Sequence, residues 1–87
     1  MKYRSRTDIT AEILKTALNG AVKTKIMYQA FLSYVQLKEY LAVLEEQKLL
    51  EYRIIEQQYY TTEKGRCFLK IHEDIDKMMV SVNSNSK

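Results

Sequence analysis

Eighty-seven residues suffice for one small domain, and 46% hydrophobic with 29% charged residues is an ordinary globular balance. No apolar run approaches the roughly 20 residues that span a bilayer, and the basic start MKYRSRTDI has no apolar stretch behind it, so neither a membrane span nor a secretory signal is expected and the chain reads as cytoplasmic. The net charge of +3 is unevenly spread: six basic residues (Lys2, Arg4, Arg6, Lys15, Lys23, Lys25) meet only Asp8 and Glu12 up to position 25, whereas eight basic residues meet nine acidic ones afterwards, a bias that suits a polyanionic partner.

Met1 to Arg6 forms a basic arm. A first helix is predicted from near Ser5, with Asp8 three residues on as its capping-box partner. Ile9, Ile13, Ala17 and Leu18 make its apolar stripe, and Asn19-Gly20 ends it. A second helix is predicted over about Lys25–Phe31, with Thr24 as N-cap and Ile26, Met27 and Ala30 facing the core.

Ser33 and Gln36 are three apart, directly before a third apolar-periodic segment, which is a second capping box. Leu37, Leu41 and Leu44 mark the buried stripe of that helix, predicted to reach about Lys48. A short helix feeding a longer one through a tight turn is the helix-turn-helix pattern, whose second helix can enter a DNA major groove.

The period then changes. Leu50, Tyr52 and Ile54 alternate with Glu51, Arg53 and Ile55, and Tyr59 to Thr62 is a second β-prone stretch. Glu56-Gln57-Gln58 joins the two, so a hairpin is expected, placed as a wing after the helix-turn-helix. A last helix is predicted from after Thr62 to about Val82. Phe68, Ile71, Ile75, Met78 and Val82 recur there at three-four spacing, a heptad seam expected to form a dimer interface. The expected organisation is a winged helix-turn-helix domain with its basic arm over 1–62, a coiled-coil dimerisation helix over 63–83 and a disordered tail over 84–87. The fold class is mainly α with a short β-hairpin.

The segments KTKIMYQAFLSYVQLKEYL, LLEY and YYTTEKGRCFL give the chain a family likeness. It resembles the small archaeal winged-helix DNA-binding proteins, namely the ArnR-type winged helix and the dimeric 10a-class chromatin proteins, over about Arg4 to Met79. The resemblance implies a winged helix dimerised through its C-terminal helix as an antiparallel coiled coil, and sequence-tolerant binding of duplex DNA. The chain departs from that pattern in two places: its C-terminal seam is short, and the wing tip Glu56-Gln57-Gln58 carries no Lys or Arg.

The Leu stripe fixes the opposite face of the third helix as Val35, Lys38, Glu39 and Ala42, with Tyr34 and Gln36 on its shoulders. Gln36 can pair with adenine, Lys38 can reach guanine or phosphate, Tyr34 can bond phosphate through its hydroxyl, and Ser33 lies at a helix N-terminus suited to phosphate. Each has a structural role open to it instead: Gln36 as capping partner, Tyr34 as packing against the second helix. Lys23, Thr24 and Lys25 at the second helix, Arg53 on the wing, and Lys2, Arg4 and Arg6 on the arm complete the candidate DNA-binding set.

One cysteine, Cys67, and one histidine, His72, exclude a four-ligand zinc site within one chain and an intrachain disulfide. Cys67 is expected to be a packed thiol and His72 a helix-flanking residue; no metal or cofactor is expected. The carboxylates Glu45/Glu46 and Glu73/Asp74/Asp76 read as solvated helix faces, and Gly20 and Gly65 make no phosphate-binding glycine loop, so an enzyme is not expected. The sequence thus points to a dimeric, weakly sequence-selective double-stranded DNA-binding protein, either nucleoid-associated or a small transcription regulator. The alternative is a winged helix used as a protein-interaction module.

Overall fold

The computed structural model describes the backbone of residues 4–85 and the side chains of residues 4–79. Its elements run α1 (Arg6–Thr16), α2 (Lys23–Gln29), α3 (Tyr34–Glu46), β1 (Leu50–Arg53), β2 (Gln58–Thr61) and α4 (Glu63–Asn85). No helix among the described residues is long and apolar enough to cross a membrane.

Both expected capping boxes form. Ser5 Oγ accepts from Asp8 N at 3.1 Å while Asp8 Oδ2 accepts from Ser5 N at 3.1 Å, and Ser33 with Gln36 repeats the exchange at α3. The second helix starts two residues earlier than predicted, with Val22 rather than Thr24 at its N-cap position. The reason is tertiary. Ala21 exchanges both backbone hydrogen bonds with Tyr59, at 3.0 and 2.8 Å, which holds the chain extended up to Val22 and leaves α2 to begin immediately after it.

The ends of α2 and α3 lack glycine, yet both close in the same way. Leu32 N bonds Met27 O and Phe31 N bonds Tyr28 O; Leu49 N bonds Leu44 O and Lys48 N bonds Glu45 O. These are Schellman closures, with Phe31 and Lys48 carrying the left-handed backbone at φ +55° and +67°.

The core is where α1, α2 and α3 meet: Ile13, Leu14, Ile26 and Leu37 are its largest fully buried side chains, and Leu41, Leu44 and Leu50 complete it. The hairpin is antiparallel, with Leu50 opposite Thr61 and Tyr52 opposite Tyr59. It is shorter than expected. Ile54 and Ile55 lie in the turn, where Gln57 N bonds Ile54 O and Gln57 takes φ +55°, rather than extending β1.

The segment Thr61-Thr62-Glu63-Lys64-Gly65 knots the fold together. Thr61 Oγ1 donates to Leu14 O at 2.7 Å and Thr61 N to Ala17 O at 3.0 Å, satisfying carbonyls at the end of α1 that have no helical partner. Thr62 Oγ1 donates to Lys48 O and accepts from Gly65 N, so one hydroxyl closes α3 and caps α4. Lys64 Nζ adds a bond to Gln47 O at 2.8 Å. Gly65 is required by proximity: a Cβ there would lie 2.5 Å from Leu49 O and 2.6 Å from Thr61 Cγ2.

Candidate nucleic-acid interface

The two lysines expected on α2 and α3 meet at one ring. Tyr34, in the first turn of α3, is 52% exposed, and its ring centroid lies 5.7 Å from Lys23 Nζ and 5.5 Å from Lys38 Nζ. Both distances fall in the range where a ring face attracts a cation. Helical spacing explains the Lys38 contact, since Tyr34 and Lys38 are four apart on one flank of α3; the early start of α2 brings Lys23 to the same place. A shallow cleft continues from this group past Ala42 and Glu45 to Tyr59, and an adjoining one runs from Lys23 and Thr24 to Tyr52, Gln57 and Tyr59. The start of α2, the flank of α3 and one face of the wing therefore form a continuous surface. Burial, followed by the nearby Glu45 carboxylate, pushes the Tyr59 phenol up, so its hydroxyl stays protonated and able to donate near neutral pH.

The rest of the predicted set is spread around this surface. Thr24 and Lys25 are exposed on α2, and the Thr24 hydroxyl is not spent on the cap that was expected of it. Ser33 and Gln36 are exposed at the start of α3 but engaged with each other, so the Gln36 carbonyl oxygen already serves the Ser33 amide. Val35, Lys38, Glu39 and Ala42 form the exposed face expected of them.

Arg4 Nη2 donates to Phe31 O at 3.4 Å, beside the turn between α2 and α3. Arg6 stands 5.6 Å from the Tyr40 ring, on the opposite flank of α3 from Lys23 and Lys38. Arg53 also lies apart. Strand alternation puts it on the other face of the hairpin from Tyr52 and Tyr59, where it bonds Glu51 at 2.8 Å and covers the Tyr60 ring at 3.9 Å. Glu51 raises the already high pKa of this guanidinium, so it remains charged. Lys2 lies outside the described residues.

On α4, Phe68 packs against the core while Ile71, Ile75 and Met78 are exposed, and every described side chain from Glu73 to Met79 faces solvent. The side chain of Val82 lies outside the described residues, as does part of the tail expected at 84–87. Cys67 is exposed rather than packed, because Phe68 and not its neighbour takes the core-facing position.

His72 is more than a flanking residue. Its Nε2 lies 2.9 Å from Asp8 Oδ1 and its Nδ1 3.7 Å from Asp76 Oδ2. Asp8 is within hydrogen-bond distance of one ring nitrogen and Asp76 lies farther off at the other, and one potential ligand atom from each of the three residues falls within 4.8 Å of the others. Nothing in the sequence signals this contact, since Asp8 already had its role as capping partner.

A winged helix-turn-helix family model matches residues 3–80. The chain belongs to the winged helix-turn-helix family. No curated protein matches it. Among solved structures, this winged helix is similar to Sso10a-2, described as a DNA-binding protein from Sulfolobus solfataricus, with a TM-score of 0.81 and 24% identity over 95% of this chain and 90% of that one. At that identity the likeness establishes the fold, including the long helix that follows the wing.

Proposed function

We propose that this protein binds double-stranded DNA as a homodimer, with α3 in the major groove and modest sequence selectivity, in a nucleoid-associated or small regulatory role. The observation that carries the reading is the grouping of Lys23 and Lys38 at the exposed Tyr34 ring. Two ammonium groups and a phenol at the leading end of α3 offer a phosphate both charge and a hydrogen bond. Lys23 and Lys25 open α2 against the helix dipole, which favours acids there, so helix stability does not account for them. Membership of the winged-helix family supports the same reading, and so does the DNA-binding description of Sso10a-2. A binding protein also suits the acidic groups of α4, where Asp74 and Glu73 pair with Lys70 and Lys77 one helical turn away rather than lining a desolvated site.

The dimer is inferred from the exposed row Ile71, Ile75 and Met78, whose three-four spacing the sequence continues to Phe68 and Val82. An antiparallel partner would bring the basic start of α4 (Lys64, Arg66, Lys70) near the acidic Glu73, Asp74 and Asp76 of its mate, whereas a parallel one would align like charges.

The deciding experiment is a gel-shift titration on random and selected duplexes at several salt concentrations. Salt-sensitive binding to both classes is expected. A second reading, a protein-interaction module, draws on Ile54 and Ile55 at the wing tip, the latter 91% exposed. Failure to bind any duplex at low salt would favour it.

A further inference from the structure

Phe31 breaks a local rule, and its packing offers no reason. It occupies the left-handed position that closes α2, at φ +55°. Glycine or asparagine ordinarily stands there, because a bulky side chain strains this backbone. Burial does not compensate: Phe31 is 82% exposed. A strained backbone carrying an exposed aromatic ring weakens the fold, and such departures from local consistency are characteristic of functional positions.

The surroundings of the ring indicate what it meets. The Arg4 guanidinium stands 5.8 Å from the ring centroid and donates to the Phe31 carbonyl. Tyr28, one turn earlier on α2, is also exposed. Two residues later Ser33 caps α3, so the ring stands beside the end of α3 that would enter the groove. We propose that Phe31 is an aromatic wedge that packs against the face of an easily unstacked base step at the margin of the α3 site, with Arg4 on the adjoining phosphate. This rests on the duplex-binding reading above and deepens it, naming the preferred ligand as a duplex with a deformable pyrimidine–purine step. A base presents an apolar π-face that a phenyl ring can cover, and kinking at such a step costs least. A neighbouring cation suits the backbone beside a kink. Protein interfaces also enrich aromatic residues and arginine, so it is the place of the ring beside the start of α3 that favours a nucleic-acid occupant.

The test uses the full chain with Phe31→Asn and Phe31→Ala, and two duplexes carrying 2-aminopurine, one at a central TA step and one within an A-tract. Asparagine relieves the left-handed strain, so the first variant should melt no lower than the parent, which separates binding from folding. The parent should raise 2-aminopurine fluorescence at the TA step and prefer that duplex. Both variants should bind it about tenfold more weakly and lose the fluorescence rise, while keeping the salt slope because no phosphate contact is removed. Variants that bind and brighten the probe like the parent overturn the wedge while leaving duplex binding intact. Unchanged DNA binding with altered self-association would make Phe31 a contact between copies instead. Absence of duplex binding by the parent itself would overturn the underlying DNA reading as well.

Discussion

Asp8 Oδ1 lies 2.9 Å from His72 Nε2, tying the first turn of α1 to the middle of α4. The same carboxylate accepts from Ser5 N through its other oxygen, so one residue both caps α1 and anchors α4. His72, followed by the two bonds with Ser5, holds the Asp8 carboxyl below its usual value. A depressed folded-state pKa stabilises the folded protein at pH values above the unfolded value of about 4, and that contribution is lost as pH falls through the lower folded value. Asp8→Asn should therefore lower the melting temperature near neutral pH and flatten its fall on acidification. Thermal melts in steps from about pH 6 to pH 2 measure this. Parallel curves for parent and variant would show that Asp8 contributes nothing through its charge.

Thr61 carries a comparable double duty in the interior. Its hydroxyl and amide close the end of α1, and the residue is buried. Thr61→Val keeps the shape but leaves the Leu14 carbonyl without its donor, a loss of about 1–3 kcal/mol. Thr61→Ser retains the donor and should cost less. Urea denaturation of the two variants separates hydrogen bond from methyl packing; equal losses would assign the effect to the methyl group.

Much of this fold was legible because its signals are local. Ser5/Asp8 and Ser33/Gln36 announced two helix starts, and Leu37, Leu41 and Leu44 announced the buried face of α3. The start of α2 was not legible, since it is set by the Ala21–Tyr59 bridge between segments far apart in sequence. Charge alone could not tell which face of the hairpin a cation takes. Arg53 is the wing cation the sequence suggested, and register places it on the face opposite Tyr59, paired with Glu51. The gathering of Lys23 and Lys38 at Tyr34 joins separate helices, and only the Tyr34–Lys38 spacing hinted at it.

The assembly inference has its own test. Ile75 is 53% exposed on α4 among other exposed apolar residues. If that row is an interface, Ile75→Asp places a carboxylate in an apolar contact at a cost of several kcal/mol unless it protonates. The parent should sediment as a dimer and the variant as a monomer with unchanged helix content. A parent that is monomeric at high micromolar concentration would remove the dimer.

Phosphate contact and base reading can be separated on α3. A dimer that neutralises about six to eight phosphates should show a log–log salt slope of about −5 to −7. Lys23→Ala with Lys38→Ala removes both cations from Tyr34, so the slope should flatten and all sequences should weaken together. Gln36 differs, because its carbonyl oxygen already accepts from Ser33 N. Presenting donor and acceptor to adenine competes with that cap, which limits the gain below the roughly 1–3 kcal/mol of a good bidentate contact. Gln36→Ala should therefore lower the melting temperature through loss of the cap while leaving sequence preference nearly unchanged. Selection from a random duplex library with each variant reads both effects. A sharp palindromic consensus that disappears with Gln36→Ala would make Gln36 a base reader and the protein a specific regulator.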